Sequence, residues 1–151
     1  MKNLIRVVVL LGSLSLICGV ISKGKIMKTI INTKNAPAPI GPYSQAVMVG
    51  DMLYVSGQVA IIPATGEVLN GSIKEETKQV MENLKAILEA AGLDFTHVVK
   101  TTIFLKDMNN FKSVNEVYGS YFSSDFPARE TVEVARLPKD VNVEISVFAA
   151  K

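Results

Sequence analysis

Sulfur and imidazole are scarce in this sequence: its one cysteine is Cys18 and its one histidine is His97. Beyond Cys18 there is no thiol nucleophile, no intrachain disulfide and no thiolate metal site. A single imidazole cannot assemble a zinc centre from the usual nitrogen and sulfur ligands, so no metal is expected. A P-loop and a G-x-G-x-x-G fingerprint are also missing, which removes the common phosphate cradles. So is a basic excess. The formal charge of +2 hides a division, because residues 1–26 hold Lys2, Arg6, Lys23 and Lys25 and no acid. From Met27 onward 12 basic residues face 14 acidic ones, a net charge of −2. Phosphate-backbone binders carry the opposite balance, so no nucleic-acid partner is expected. Any catalysis must come from carboxylate, guanidinium, hydroxyl, amide and backbone groups with water.

The longest apolar run, Val7 to Ile21, falls short of the roughly 20 residues that a membrane helix needs. Preceded by Lys2 and Arg6, it reads as the charged and hydrophobic regions of a secretory signal. No A-x-A site follows it, and the large Ile17 before Cys18 argues against a lipoprotein site. The competing reading is a translation start placed too far upstream, since Met27-Lys28-Thr29-Ile30-Ile31 makes a natural first strand. Residues 1–26 are therefore set apart as an extension, and residues 27–151 are one domain. Its expected location is cytoplasmic, or exported if the extension is a working signal, with no stable membrane association of the domain.

Within the domain, Met27–Asn32 reads as a strand, and the proline-rich stretch 36–43 as a rigid loop. Ser44–Val49 and Met52–Val59 flank Gly50-Asp51 as a β-hairpin. Ile73, Thr77, Val80, Leu84, Ile87, Leu88 and Ala91 make one stripe at helical spacing over Ser72–Ala91, and Gly92 stops that helix. Val98–Lys106 reads as a strand with Val99, Thr101, Ile103 and Leu105 on one face. A second helix is expected over Asn110–Phe122, a short strand over Val132–Val134, and an alternating strand over Val141–Ala149. The order β-β-β-α-β-α-β-β predicts an α+β fold: a mixed sheet with two helices on one face. The other face would be partly apolar and is expected to be buried between subunits.

Several ordered segments resemble one family. Ile40-Gly41-Pro42-Tyr43-Ser44-Gln45-Ala46, Leu53-Tyr54-Val55-Ser56-Gly57-Gln58, Phe126-Pro127-Ala128-Arg129-Glu130-Thr131-Val132-Glu133-Val134-Ala135-Arg136-Leu137-Pro138 and Val143-Glu144-Ile145 are similar to the signature of the Rid family. These are the reactive intermediate/imine deaminases, also called L-PSP endoribonucleases. The resemblance covers essentially all of Met27–Lys151. It implies a chorismate-mutase-like fold, a homotrimer whose sheets form a barrel, and active sites between subunits. It also implies cofactor-independent hydrolysis of 2-imino acids, such as 2-iminobutanoate and 2-iminopropanoate, to 2-keto acids and ammonia. The family's carboxylate-binding arginine falls on Arg129 and its glutamate near the reacting water on Glu144. Its pocket residues fall on Tyr43, Ser56, Gly57 and Asn115. Many members carry cysteine two residues after the arginine, where this chain has Thr131.

Each residue also has a plainer reading. Arg129, placed where a loop feeds a sheet, could form a surface or interface salt bridge. Glu144, on the polar side of an alternating strand, could face solvent or a lysine. Ser56-Gly57 could be a bulge, Tyr43 could be packing, and Asn115 near an apolar stripe needs a hydrogen-bond partner of some kind. His97 reads as a bland loop residue. Two other functions stay open beside imine hydrolysis: ribonuclease activity, and a non-catalytic ligand-binding or holdase-like trimer.

Overall fold

The computed structural model describes residues 26–69 and 71–151; the expectations for residues 1–25 lie outside them. Strands β1 (Lys28–Ile31), β2 (Ala46–Val49) and β3 (Met52–Gln58) form an antiparallel meander. The β2–β3 turn uses the freedom of Gly50, whose φ is +56°. Helix α1 (Ile73–Ala90) starts at Ser72, whose side chain accepts from Glu75 N while the Glu75 carboxylate accepts from Ser72 N. This reciprocal cap satisfies two donors that the first turn would otherwise leave open. The predicted stripe is the buried one: Thr77, Val80, Leu84, Ile87 and Leu88 pack into the core with Met81.

Strand β4 (Val98–Leu105), helix α2 (Phe111–Gly119), strand β5 (Ala128–Glu133) and strand β6 (Val143–Ala150) complete the chain. The sheet order is β1-β2-β3-β6-β4-β5, antiparallel throughout except for β4–β5. That pair is parallel because α2 provides the crossover that returns the chain to the same end. Helix α1 packs on β3 and β6 with α2 beside it, so both helices cover one face, as the element order predicts. Val143, Ile145, Val147 and Ala149 of β6 point into that layer. The opposite face keeps Tyr54, Phe148 and Val132 exposed, with the Tyr54 and Phe148 rings 5.1 Å apart.

The structure corrects four details. Val99 was expected on the core face of β4, but Val98 is 5% exposed and Val99 46%. A register shift against β6 between Val98 and Lys100 moves the core assignment back by one residue. The second helix ends at Gly119, since Ser120, Tyr121 and Phe122 each donate to the carbonyl three residues back and tighten the chain into a turn. Strand β5 begins at Ala128 rather than Val132, so Arg129 lies inside a strand and not in the loop before it. Strand β6 begins at Val143, because Asn142 is held instead by the buried Glu76, whose carboxylate accepts from Asn142 N and Nδ2. No helix among the described residues is long and apolar enough to cross a membrane.

Candidate active site

The sequence-predicted residues fall into two groups on this chain. The first lines a cavity of about 370 Å³ and contains Tyr43, Ser56, Gly57 and Glu144. Pro37, Ile40, Val59 and Ile61 supply its apolar wall. Ser56 and Gly57 sit where the β3–β6 register shifts between Val55 and Gln58, so the bulge is present and also lines the cavity. Gln58 Nε2 holds the irregularity by donating to the Ser56 and Gly57 carbonyls at 3.1 and 3.3 Å. Ser56 Oγ donates to Ser44 O at 2.6 Å. With its proton so used, that hydroxyl offers the cavity an acceptor. Tyr43 Oη accepts from Ile40 N at 3.3 Å and keeps its own proton available.

Glu144 is half-buried in this cavity, and among the described residues no group donates a hydrogen bond to its carboxylate. Burial pushes its carboxyl above the ordinary value of 4.5, as expected where a charge loses water without gaining a partner. That combination suits a group that takes a proton from water and gives it back.

The second group lies on β5 and α2. Arg129, Asn115, Tyr118, Gly119, Phe126 and Pro127 line a depression of about 350 Å³. Arg129 Nη1 donates to Asn115 Oδ1 at 2.5 Å, which gives Asn115 the partner it needs. The guanidinium carbon lies 5.0 Å from the Tyr118 ring centroid and 5.8 Å from that of Phe111. Arg129 forms no ion pair among the described residues. Its neighbour Glu130 turns to the other face and pairs with Lys100 and Thr102. Two residues beyond Arg129, Thr131 Oγ1 is buried with no hydrogen-bond partner among the described residues, an orphan that costs free energy unless something completes it.

The two groups do not meet within one chain. Glu144 is in register with Phe104, and Phe104 with Val132, three residues along β5 from Arg129. Standard sheet spacing then puts Arg129 and Glu144 roughly 14 Å apart at Cα. They also leave opposite faces: Arg129 faces α2, and Glu144 faces away from the buried Val143 and Ile145.

Three features escaped the sequence reading. Gln45 is buried and clamps the proline-rich wall: its Oε1 accepts from Thr33 N at 2.7 Å, and its Nε2 donates to the carbonyls of Thr33, Ala36 and Pro37. Pro138 and Lys139 also line the first cavity, and Lys139 and Asp140 both hold φ of 58°. Tyr118 lies beneath Arg129. A polar residue inside an apolar motif was the one available signal for Gln45. His97 is as bland as expected, since it bonds Asp94 in a short turn. Among the described residues no three His, Cys, Asp or Glu side chains cluster to hold a metal.

Comparison with known proteins places this arrangement. A RutC family protein of Pyrococcus horikoshii is 57% identical over 125 residues, 83% of this chain and 99% of that protein. The human 2-iminobutanoate/2-iminopropanoate deaminase is 49% identical over 124 residues, 82% of this chain and 90% of that one. The crystal structure of Escherichia coli TdcF with bound serine superposes with a TM-score of 0.78 at 43% identity, covering 82% of this chain and 98% of that one. The model of the family described as Endoribonuclease L-PSP matches residues 33–151. The motifs, the mixed sheet under two helices and these matches agree, and the chain belongs to the endoribonuclease L-PSP (RutC/Rid) family.

Proposed function

We propose that this protein hydrolyses 2-imino acids, 2-iminobutanoate and 2-iminopropanoate among them, to 2-keto acids and ammonia. We further propose that it does so as a homotrimer, in sites that join Arg129 of one copy to Glu144 of the next. The observation that carries the reading is a guanidinium held, among the described residues, by uncharged groups alone: Asn115, Tyr118 and Phe111. Such a cation keeps its capacity for a carboxylate, and its planar fork matches one bidentately. A second copy is favoured by the separation of the two groups and by the exposed apolar side chains opposite the helices.

In this reading the substrate carboxylate rests on Arg129, with Thr131 Oγ1 beside it as a further donor. Water adds its oxygen to the C=N carbon while Glu144 takes one of its protons. That proton passes to nitrogen. Glu144 then takes the proton of the new hydroxyl and delivers it to the nitrogen, and as the C=O bond forms the C–N bond breaks to free ammonia. Ser56 Oγ accepts from the nitrogen, and the Tyr43 hydroxyl donates to the substrate. Water is the one co-reactant.

The test is a coupled assay in which an amino-acid dehydratase generates the imine and ammonia or keto-acid release is followed. Wild type should accelerate release. Arg129→Ala should lose that acceleration while keeping its oligomer mass and thermal midpoint, and Arg129→Lys should recover little, because an ammonium lacks the two-pronged donor geometry. A folded, fully active Arg129→Ala protein would overturn the proposal.

A further inference from the structure

An arginine that receives a substrate carboxylate cannot be fixed by one of the protein's own carboxylates, since the two anions would compete. Something else must hold it. Helix α2 presents Phe111, Asn115 and Tyr118 towards Arg129, at positions i, i+4 and i+7 of one helical face. Asn115 Oδ1 accepts a hydrogen bond from the guanidinium, and two aromatic ring faces lie against the cation. The contributions of the rings are unequal. Phe111 is 40% exposed, whereas Tyr118 is 3% exposed and also lies closer.

Tyr118 is fixed from behind. Its hydroxyl donates to Thr101 Oγ1 at 3.1 Å, in the core. Thr101 is the residue of β4 in register with Arg129. The contacts therefore close on themselves: the Arg129 backbone pairs with Thr101, Thr101 holds the Tyr118 ring, and the ring lies under the Arg129 guanidinium. Tyr118 also packs against Phe122, 4.9 Å between centroids, and Phe122 against Phe95 at 5.4 Å. A ring held in this way gives a long, flexible cation a fixed floor, and the quadrupole of its face attracts the cation without neutralising it.

We propose that Tyr118 is the positioning residue of the carboxylate site: its ring face orients Arg129, while its hydroxyl serves the fold through Thr101. The proposal rests on Arg129 being the carboxylate anchor. It divides the side chain into two parts with separable consequences. Burial pushes the phenol up from its ordinary value of 10.0, so the ring stays neutral over the working range of pH.

The experiment compares Tyr118→Phe, Tyr118→Leu and Phe111→Leu with Arg129→Ala in the full-length chain. It reads kcat and KM for imine hydrolysis, inhibition by 2-oxobutanoate, the thermal midpoint, and the Arg129 Nε–H signal in 15N–1H NMR. Tyr118→Phe should lower the thermal midpoint by a few degrees, because it loses the bond to Thr101, while leaving KM and the inhibition constant within about twofold. Tyr118→Leu should raise both constants about tenfold with a smaller change in kcat, and should reduce the ring-current shift of the Arg129 signal, which the Phe variant retains in full. Phe111→Leu, at an exposed position that tolerates change, should raise the inhibition constant about threefold, so the ring contribution is measured even without a folded Tyr118→Leu protein. Equal losses in the Phe and Leu variants would assign Tyr118 to the fold alone and overturn the inference. So would unchanged constants in Tyr118→Leu and Phe111→Leu beside an inactive Arg129→Ala. Full activity in Arg129→Ala would instead remove the carboxylate anchor itself, and the floor beneath it.

Discussion

A β-carbon placed on Gly57 would lie 1.9 Å from Glu144 Oε1 and 2.8 Å from its carboxyl carbon. The Glu144 carboxylate thus occupies the space that any other residue at position 57 would fill. Because the obstructing atoms end a flexible side chain, Gly57→Ala should displace the carboxylate rather than the strands. The expected result is a folded protein with near-normal KM and a turnover number lower by about a hundredfold, the scale of loss when a reacting group shifts by an ångström. Steady-state kinetics with a thermal melt on the same sample checks this; unchanged kcat would show that Glu144 does not act from this position.

The pH dependence of Glu144 has a definite sign. Burial holds its carboxyl above 4.5 in the folded chain, so the folded protein binds this proton more tightly than the unfolded one. The stabilisation this gives is complete below 4.5 and is lost as pH rises through the higher folded value. Glu144→Gln carries no such charge. It should therefore melt higher than wild type near neutrality, with the difference closing below 4.5. Its turnover should fall by about a hundred- to ten-thousandfold. In wild type the acid limb of kcat should lie above the ordinary carboxylate value, and the variant should lack it. Melting curves over a pH series and the pH–rate profile measure the two effects separately.

How much of this was legible in the sequence differs by element. Helix α1 and strand β6 are half-buried, and half-burial writes a period of 3.6 or 2 into the chain, so Leu84 and Ile145 could be assigned inward without coordinates. Strand β5 carries no such pattern. Its Arg129 and Thr131 face α2, its Glu130 faces Lys100 and Thr102, and its outer edge is unpaired, so a polar stretch read as loop. Val99 was misassigned because a bulge breaks alternation at one residue. Gln45 was missed because its partners are carbonyls 8 to 12 residues earlier, a separation that periodicity does not record. Each candidate site residue came from motif resemblance. That the residues divide into two groups on opposite faces became visible only with the strand register in place.

The open face of the sheet supports a third expectation. Phe148 is exposed beside Tyr54 in the middle of a surface that no helix among the described residues covers. A charge there should be tolerated by the single chain and rejected by an interface. Phe148→Glu is expected to convert the proposed trimer to monomer at micromolar concentration, as read by light scattering, with secondary structure retained. Imine turnover should disappear with the trimer. An active monomer would show that one chain suffices.

The separation of Arg129 from Glu144 gives the most direct test of shared sites. Arg129→Ala and Glu144→Gln should each be nearly inactive alone. If every site takes Arg129 from one copy and Glu144 from the next, a trimer containing both variants regains one intact site. In such a trimer one copy with native Arg129 is followed by one with native Glu144, whichever variant is in the majority. Denaturing the two proteins together in equal amounts and refolding them should give about three-quarters mixed trimers, and hence about a quarter of wild-type activity. Sites built within single chains would yield no more than the average of the two inactive proteins. Doubly substituted Arg129→Ala/Glu144→Gln protein refolded with wild type supplies the control. There, each mixed trimer with two wild-type copies keeps a single intact site and each with one keeps none, so activity falls below the wild-type share of chains. Measuring both mixtures over a range of ratios therefore separates shared sites from self-contained ones by the shape of the curve as well as by its height.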